Sequence, residues 1–273
     1  MKNFAKLRRL SAKLILPAIA VLGFTACDEV SEYDRYIELP EIQNTAKTVL
    51  LEDFTGQNCV NCPAAHEVME LLSEQYGDRL ICVSVHAGEL AIPVERTRFE
   101  AGYIGLRTAE GDAYNNAAGV GHWPMGSVDF GSAIDPDQWG SAVRQQLELD
   151  PAAHIELSAT VADGKVKISS ELTPLTDFKG KYLVWIVESG IVTVQRGESG
   201  MKLDYVHNNV FRAAVNGTWG QDLELKEGIK ASVDNEIELR DNQYEKWNAD
   251  NLTVVAFIYD DRGVQQAAMV DVE

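Results

Sequence analysis

The sequence predicts an α/β domain followed by an all-β sandwich domain. Three observations carry this reading. A strand–helix–strand pattern begins at Lys47, short alternating strands with turn signals follow Asp150-Pro151, and Cys59-Val60-Asn61-Cys62-Pro63 lies between the first strand and the first helix.

Residues 1–26 read as a processing signal ahead of the fold. Lys2, Lys6, Arg8, Arg9 and Lys13 make a positive region, and residues 14–24 are apolar but too short to span a bilayer comfortably. The segment ends in Phe24-Thr25-Ala26-Cys27, which resembles a bacterial lipobox and predicts acylation of Cys27 with chains such as palmitate. Ordinary cleavage after Ala26 is the alternative. Each buried methylene contributes about 0.8 kcal/mol, so two or three long chains would hold the protein on a membrane. Residues 27–46 read as an acidic tether. Its Asp28, Glu29, Glu32 and Asp34 resemble signals that sort some lipoproteins to the outer-membrane surface, and a solvated linker explains them equally well.

The formal net charge is −18, and loss of residues 1–26 would leave 19 Lys+Arg against 42 Asp+Glu, or −23. That balance excludes electrostatic binding to nucleic acid or to anionic lipid headgroups.

Each element has a local reason. Residues 48–54 predict a strand, with 55–58 as a turn. Residues 63–76 carry Val68, Leu71 and Leu72 at helical spacing, with Pro63 tolerated in the first turn. Gly77-Asp78 ends that helix, and 80–86 predicts a second buried strand, parallel to the first by the short β-α-β connection. A short helix over 112–118, a strand over 125–130 and a helix over 136–149 capped by Asp135 complete an α/β domain of residues 47–149. In residues 152–273, strands 154–162 and 165–171 flank Asp163-Gly164 as a hairpin. Strands over 182–188, 191–196, 252–259 and 264–272 continue a sandwich pattern.

Two thiols separated by two residues at a helix start form a dithiol/disulfide device. Backbone N–H groups and the helix dipole favour a thiolate there by roughly 0.3–2 kcal/mol, so Cys59 is expected to attack and Cys62 to resolve the mixed disulfide. A structural disulfide, half of a zinc site and a redox-dead relic are the bland alternatives. Zinc is weakened by the absence of a second CxxC or an HxxxH spacing. No cofactor and no metal are expected. Cys82 reads as a small buried hydrophobe. His86 and His122 read as surface or loop histidines or as groups that tune Cys59, His66 reads as a solvated helix residue, and His207-Asn208-Asn209 as a turn or binding loop.

Glu52-Asp53-Phe54-Thr55-Gly56-Gln57-Asn58-Cys59-Val60-Asn61-Cys62 resembles the thioredoxin signature over about residues 47–149. The resemblance implies that Asp53 is a buried carboxylate moving the resolving thiol's proton, and that Pro124 is a cis-proline beside the disulfide. Asn58 in place of tryptophan, and Val60-Asn61 in place of Gly-Pro, depart from that pattern. Tyr205-Val206-His207-Asn208-Asn209-Val210-Phe211-Arg212, Asn216-Gly217-Thr218-Trp219-Gly220 and residues 254–259 extend a resemblance of the whole chain to the Omp28-related lipoproteins of the outer membrane. It implies a thioredoxin-like domain joined to a C-terminal β-domain.

The expected function is a lipid-anchored envelope thiol–disulfide oxidoreductase with Cys59, Cys62, Asp53 and Pro124 as its site. Its partners would be the membrane, through Cys27, and protein dithiols or disulfides, on the periplasmic or cell-surface face. The alternative is a non-enzymatic outer-membrane binding or adhesion lipoprotein on a thioredoxin-like scaffold.

Overall fold

The structure is a computed structural model that describes residues 46–273. The expected signal peptide, Cys27 and nearly all of the tether lie outside the described residues.

The first strand, β1 (Val49–Thr55), is buried along its whole length, as expected for a strand covered on both faces. Helix α1 (Cys62–Tyr76) follows with Pro63 in its first turn, then β2 (Leu80–His86), which pairs with β1 in parallel. Helix α2 (Ala109–Ala118) starts on the Thr108 side chain, which accepts from Gly111 N. Strand β3 (Met125–Val128) runs antiparallel to β1, and α3 (Pro136–Leu147) packs back beside α1. Asp135 precedes α3 without making a side-chain cap. Strand β3 is shorter than the sequence suggests because Asp129 and Phe130 both adopt positive φ, at 52° and 61°.

The remaining strands are β4 (Ala153–Ala162), β5 (Lys165–Pro174), β6 (Phe178–Glu188), β7 (Ile191–Gly197), β8 (Gly200–His207) and β9 (Val210–Ala214). They continue as β10 (Gln221–Leu225), β11 (Ala231–Glu238), β12 (Leu252–Asp260) and β13 (Gly263–Asp271).

Strands from both sides of the expected boundary near residue 150 lie in one sheet, of order β13-β12-β6-β9-β2-β1-β3, with β10 also paired to β6. The seam is a short parallel register of Ser84 in β2 with Val210 in β9. The expectation of two separate domains, α/β then all-β, is therefore revised to a β-rich fold around one mixed sheet. Sequence patterns report local alternation and carry no information about which distant strand completes an edge.

Alternation along the strands gives this sheet two apolar faces. Leu50 and Phe54 of β1, Val83 of β2, Trp185 of β6 and Phe257 of β12 share one face. On the opposite face, α1 and α3 cover Val49, Leu51 and Leu80. The three-stranded sheet β11-β5-β4 covers Tyr182, Val184, Ile186 and Val254 to form the sandwich layer.

Candidate functional site

Strands β1 and β2 end level, with Thr55 opposite His86, and Met125 lies opposite Phe54. The loop after β1, the segment before β3 and the end of β2 therefore gather at one edge of the sheet, outside the carboxyl ends of its parallel strands, where α/β sheets place sites.

Cys59 and Cys62 are joined by a disulfide with a Cα–Cα distance of 5.5 Å. Cys62 opens α1 and Cys59 precedes it, anchored by its N–H to Gly56 O at 2.9 Å. Gly56 is required there: a Cβ would come within 2.6 Å of the Leu90 backbone. Val60 is 41 % exposed, but Cys59 is 2 % exposed and Cys62 fully buried. The cysteine loop shows its middle residues to solvent and keeps the cysteines beneath.

The cover comes from the β7–β8 hairpin, of which sequence reasoning saw only the strand over 191–196, and from the 88–107 segment, which it left unassigned. The Gln195 side chain of β7 donates from Nε2 to Cys59 O at 2.9 Å and Gly56 O at 3.3 Å, while Arg196 N donates to Gln57 O at 2.7 Å. Buried Gln57 donates to Ile104 O at 2.6 Å and accepts from Ile92 N at 3.1 Å. The β7–β8 hairpin and the 88–107 segment thus close over the cysteine loop together. Gln195 is invisible to a motif search because its role depends on a hairpin docking from far along the chain.

Asp53 is fully buried, as the resemblance implies, and neither carboxyl oxygen has a hydrogen-bond partner among the described residues. Its Oδ2 lies 3.2 Å from His66 Nε2, close enough for an ion-pair contact without hydrogen-bond geometry. His66 is not the solvated residue expected. It contacts Thr55 Oγ1 at 3.0 Å and the Tyr205 hydroxyl of β8 at 2.9 Å. A sequence signal existed: Cys62, Ala65, Met69 and Leu72 form the buried stripe of α1, and His66, four residues after Cys62, lies at its border. The Trp123-Pro124 bond is cis. His122, a candidate to tune the thiol or a plain surface histidine, faces solvent and pairs with Asp135 at 3.0 Å.

A cleft of about 430 Å³ opens between α1 and β8, floored by β2. Its lining includes His66, Met69, Glu70, Cys82, His86 and His207. Cys82 is buried and free, and burial pushes its thiol up to about 12, so it is not a nucleophile in this state. Burial, reinforced by the neighbouring His207, His66 and Arg212, holds His86 well below the usual histidine range. Burial likewise lowers His207 to about 3.

A family model described as Outer membrane protein Omp28 matches residues 111–273, more than half of the sequence. The chain belongs to the Omp28 family. The matched region takes in most of α2, then β3, α3 and every later strand, but not the cysteine loop. Among solved structures, the Omp28 chain resembles HBP35 of Porphyromonas gingivalis with a TM-score of 0.65 and 15 % identity. That match covers 84 % of this chain and 76 % of the other, and it shows shared fold alone. A domain of the outer membrane lipoprotein Omp28 from the same organism matches at 22 % identity, covering 45 % of this chain and 89 % of that one, with a TM-score of 0.32. No curated protein matches the chain.

Proposed function

We propose that this chain is a non-enzymatic outer-membrane binding or adhesion lipoprotein, held by an acylated Cys27, in which a thioredoxin-like scaffold carries a structural disulfide. The observation that carries this reading is the burial of both cysteines beneath the β7–β8 hairpin. An attacking thiol must meet its partner, and here Gln195 and Arg196 hold the loop that would have to open. The Omp28 family match, with a name that records an outer-membrane location, supports the same reading.

The reading is tested by the reduction potential of the Cys59–Cys62 bond in the folded protein, which is expected below about −300 mV. A value between about −270 and −120 mV, together with mixed-disulfide partners trapped by Cys62→Ser but not by Cys59→Ser/Cys62→Ser, would overturn it.

Two further outcomes are expected. A four-residue loop restrains the unfolded chain modestly, so Cys59→Ser/Cys62→Ser should lower unfolding free energy by about 2 kcal/mol in urea titration. Gln195→Ala should speed reduction of the native disulfide by dithiothreitol about tenfold, the equivalent of one hydrogen bond. An unchanged rate would show that the hairpin does not protect the bond.

One observation favours a second reading, the thiol–disulfide oxidoreductase. The disulfide, buried Asp53 and Pro124 gather at one sheet edge, as the thioredoxin resemblance implies. In that reading Cys59 attacks, Cys62 resolves, Asp53 accepts a proton, Pro124 forms part of the docking surface, and the hairpin must open first. The trapping experiment above separates the two.

A further inference from the structure

The cleft between α1 and β8 holds a pair of imidazoles that neither reading of the disulfide uses. His86, at the end of β2, is 1 % exposed and lines the cleft; neither ring nitrogen makes a hydrogen bond of good geometry among the described residues, and the Ser84 backbone is its close polar neighbour. A buried polar side chain without a well-aligned partner is costly in a purely structural role. His207, the last residue of β8, lies against it with ring centroids 5.1 Å apart and planes at 65°. His207 Nε2 approaches Val194 O at 3.3 Å. A carbonyl only accepts, so Nε2 carries the proton and Nδ1 keeps its lone pair. This is the outer-shell arrangement that prepares a histidine to bind a metal.

We propose that His86 and His207 form a two-imidazole site for a borderline divalent transition-metal ion such as Zn²⁺, reached through this cleft. An imidazole nitrogen bonds zinc at about 2 Å, placing each ring centroid about 3 Å from the ion. Two rings 5.1 Å apart then subtend an angle close to tetrahedral. Among the described residues no three His, Cys, Asp or Glu side chains form a ready metal cluster, so water or a ligand carried by the metal completes the coordination. His66 is not a ligand, because both its ring nitrogens are engaged by Thr55 and Tyr205. The remaining surroundings suit such an ion. Glu70 and Glu74 on the α1 wall attract cations, and the Met69 and Cys82 sulfurs disfavour hard ions such as Mg²⁺. Burial keeps both imidazoles neutral, the form that binds metal. This site gives the binding reading a ligand class and rests on it only for biological role, since metal binding is measurable whatever the disulfide does.

The test is Zn²⁺ titration by calorimetry on the full chain in detergent, purified without a histidine tag and under non-reducing conditions. The intact Cys59–Cys62 bond then cannot supply thiolates. One ion per chain is expected, with His86→Gln and His207→Gln each weakening binding at least tenfold and His122→Gln leaving it unchanged. Far-UV circular dichroism checks that each variant is folded. Should either variant unfold, Co²⁺ added to the wild-type protein gives the second readout, a visible absorption band of nitrogen-ligated metal and shifted His86 and His207 imidazole resonances. No saturable binding below about 100 µM, affinity unaltered in both variants, or resonances that do not move with Co²⁺ would each overturn the site. The disulfide potential is a separate measurement, so failure here leaves the reading of the disulfide intact.

Discussion

Replacing Arg212 with methionine is expected to lower unfolding free energy by about 3–5 kcal/mol at neutral pH, the cost of leaving buried carboxylates without their countercharge. Arg212, on β9, is 3 % exposed. Its guanidinium lies 3.5 Å from Glu188 Oε2 and 3.3 Å from Glu245 Oε1, and Arg240 meets the other Glu245 oxygen at 2.5 Å. Glu188 also accepts from Asn248 N at 2.9 Å, so the network ties β6, β9 and the 240–248 segment into one unit. Methionine keeps much of the side-chain volume while removing the charge, which separates electrostatics from packing.

The pH dependence identifies the cause. Burial raises Glu188 above the ordinary carboxylate range, and Glu245 adds to that, while Arg212 and the Asn248 N–H pull it down. Removing Arg212 raises the folded-state value further. A group whose folded pKa is raised has its stabilising effect fully present below the unfolded pKa and loses it as pH rises through the folded one. The variant should therefore match wild type most closely near pH 4 and fall away toward pH 7. Urea titrations across that range check it, and a deficit that stays constant with pH would point to lost packing instead. Because β9 follows the β7–β8 hairpin directly, the variant should also expose the disulfide to reductant more often.

Particular residues show what could be read from the sequence. The β1–α1–β2 unit and the β4–β5 hairpin were legible because each is closed by neighbours in the chain: a buried run, a proline in the first turn, an Asp163-Gly164 turn. Cys59 and Cys62 were legible for the same reason. The hairpin β7–β8 was only half legible. Met201, Leu203 and Tyr205 alternate with Lys202 and Asp204, but every residue from Gly200 to Asp204 is exposed, so that alternation marks no buried face. Strand β9 was missed because its five residues acquire meaning only by joining β2 to β6. His86 and His207 meet through that same long-range pairing, and no spacing rule links residues so far apart. What sequence reasoning placed in solvent, His66, is held instead by groups from β1 and β8 that converge only in three dimensions.

The same limit applies to β1, whose two adjacent carboxyls point to opposite faces of the sheet. The thioredoxin resemblance singled out Asp53, yet Glu52 carries the larger expected effect on stability. Glu52 is 2 % exposed, and its Oε1 has no hydrogen-bond partner among the described residues. Strand alternation sets it on the face of Leu50 and Phe54, whose core includes Tyr114 and Trp185. Burial pushes its carboxyl from 4.5 up to about 8; a hydrogen bond from Ser127 opposes the shift and the charge of Asp129 adds to it.

Between those two values the folded state holds a proton that the unfolded chain has released, so stability must fall as pH rises. At about 1.4 kcal/mol per unit, this one group removes roughly 3 kcal/mol between pH 4.5 and 7. Glu52→Gln abolishes the titration, so its stability should stay flat in this respect where wild type declines. The difference between the two proteins should therefore grow by roughly 3 kcal/mol over that interval, whatever fixed cost the extra amide donors impose. Glu52→Met supplies a variant with no polar group to satisfy, and it should show the same pH-dependent gain. Chemical denaturation at pH 4.5, 6 and 7 measures the slope. Parallel curves for wild type and both variants would mean that Glu52 is ionised in the folded protein, and that the apolar face of the sheet admits enough water to solvate it.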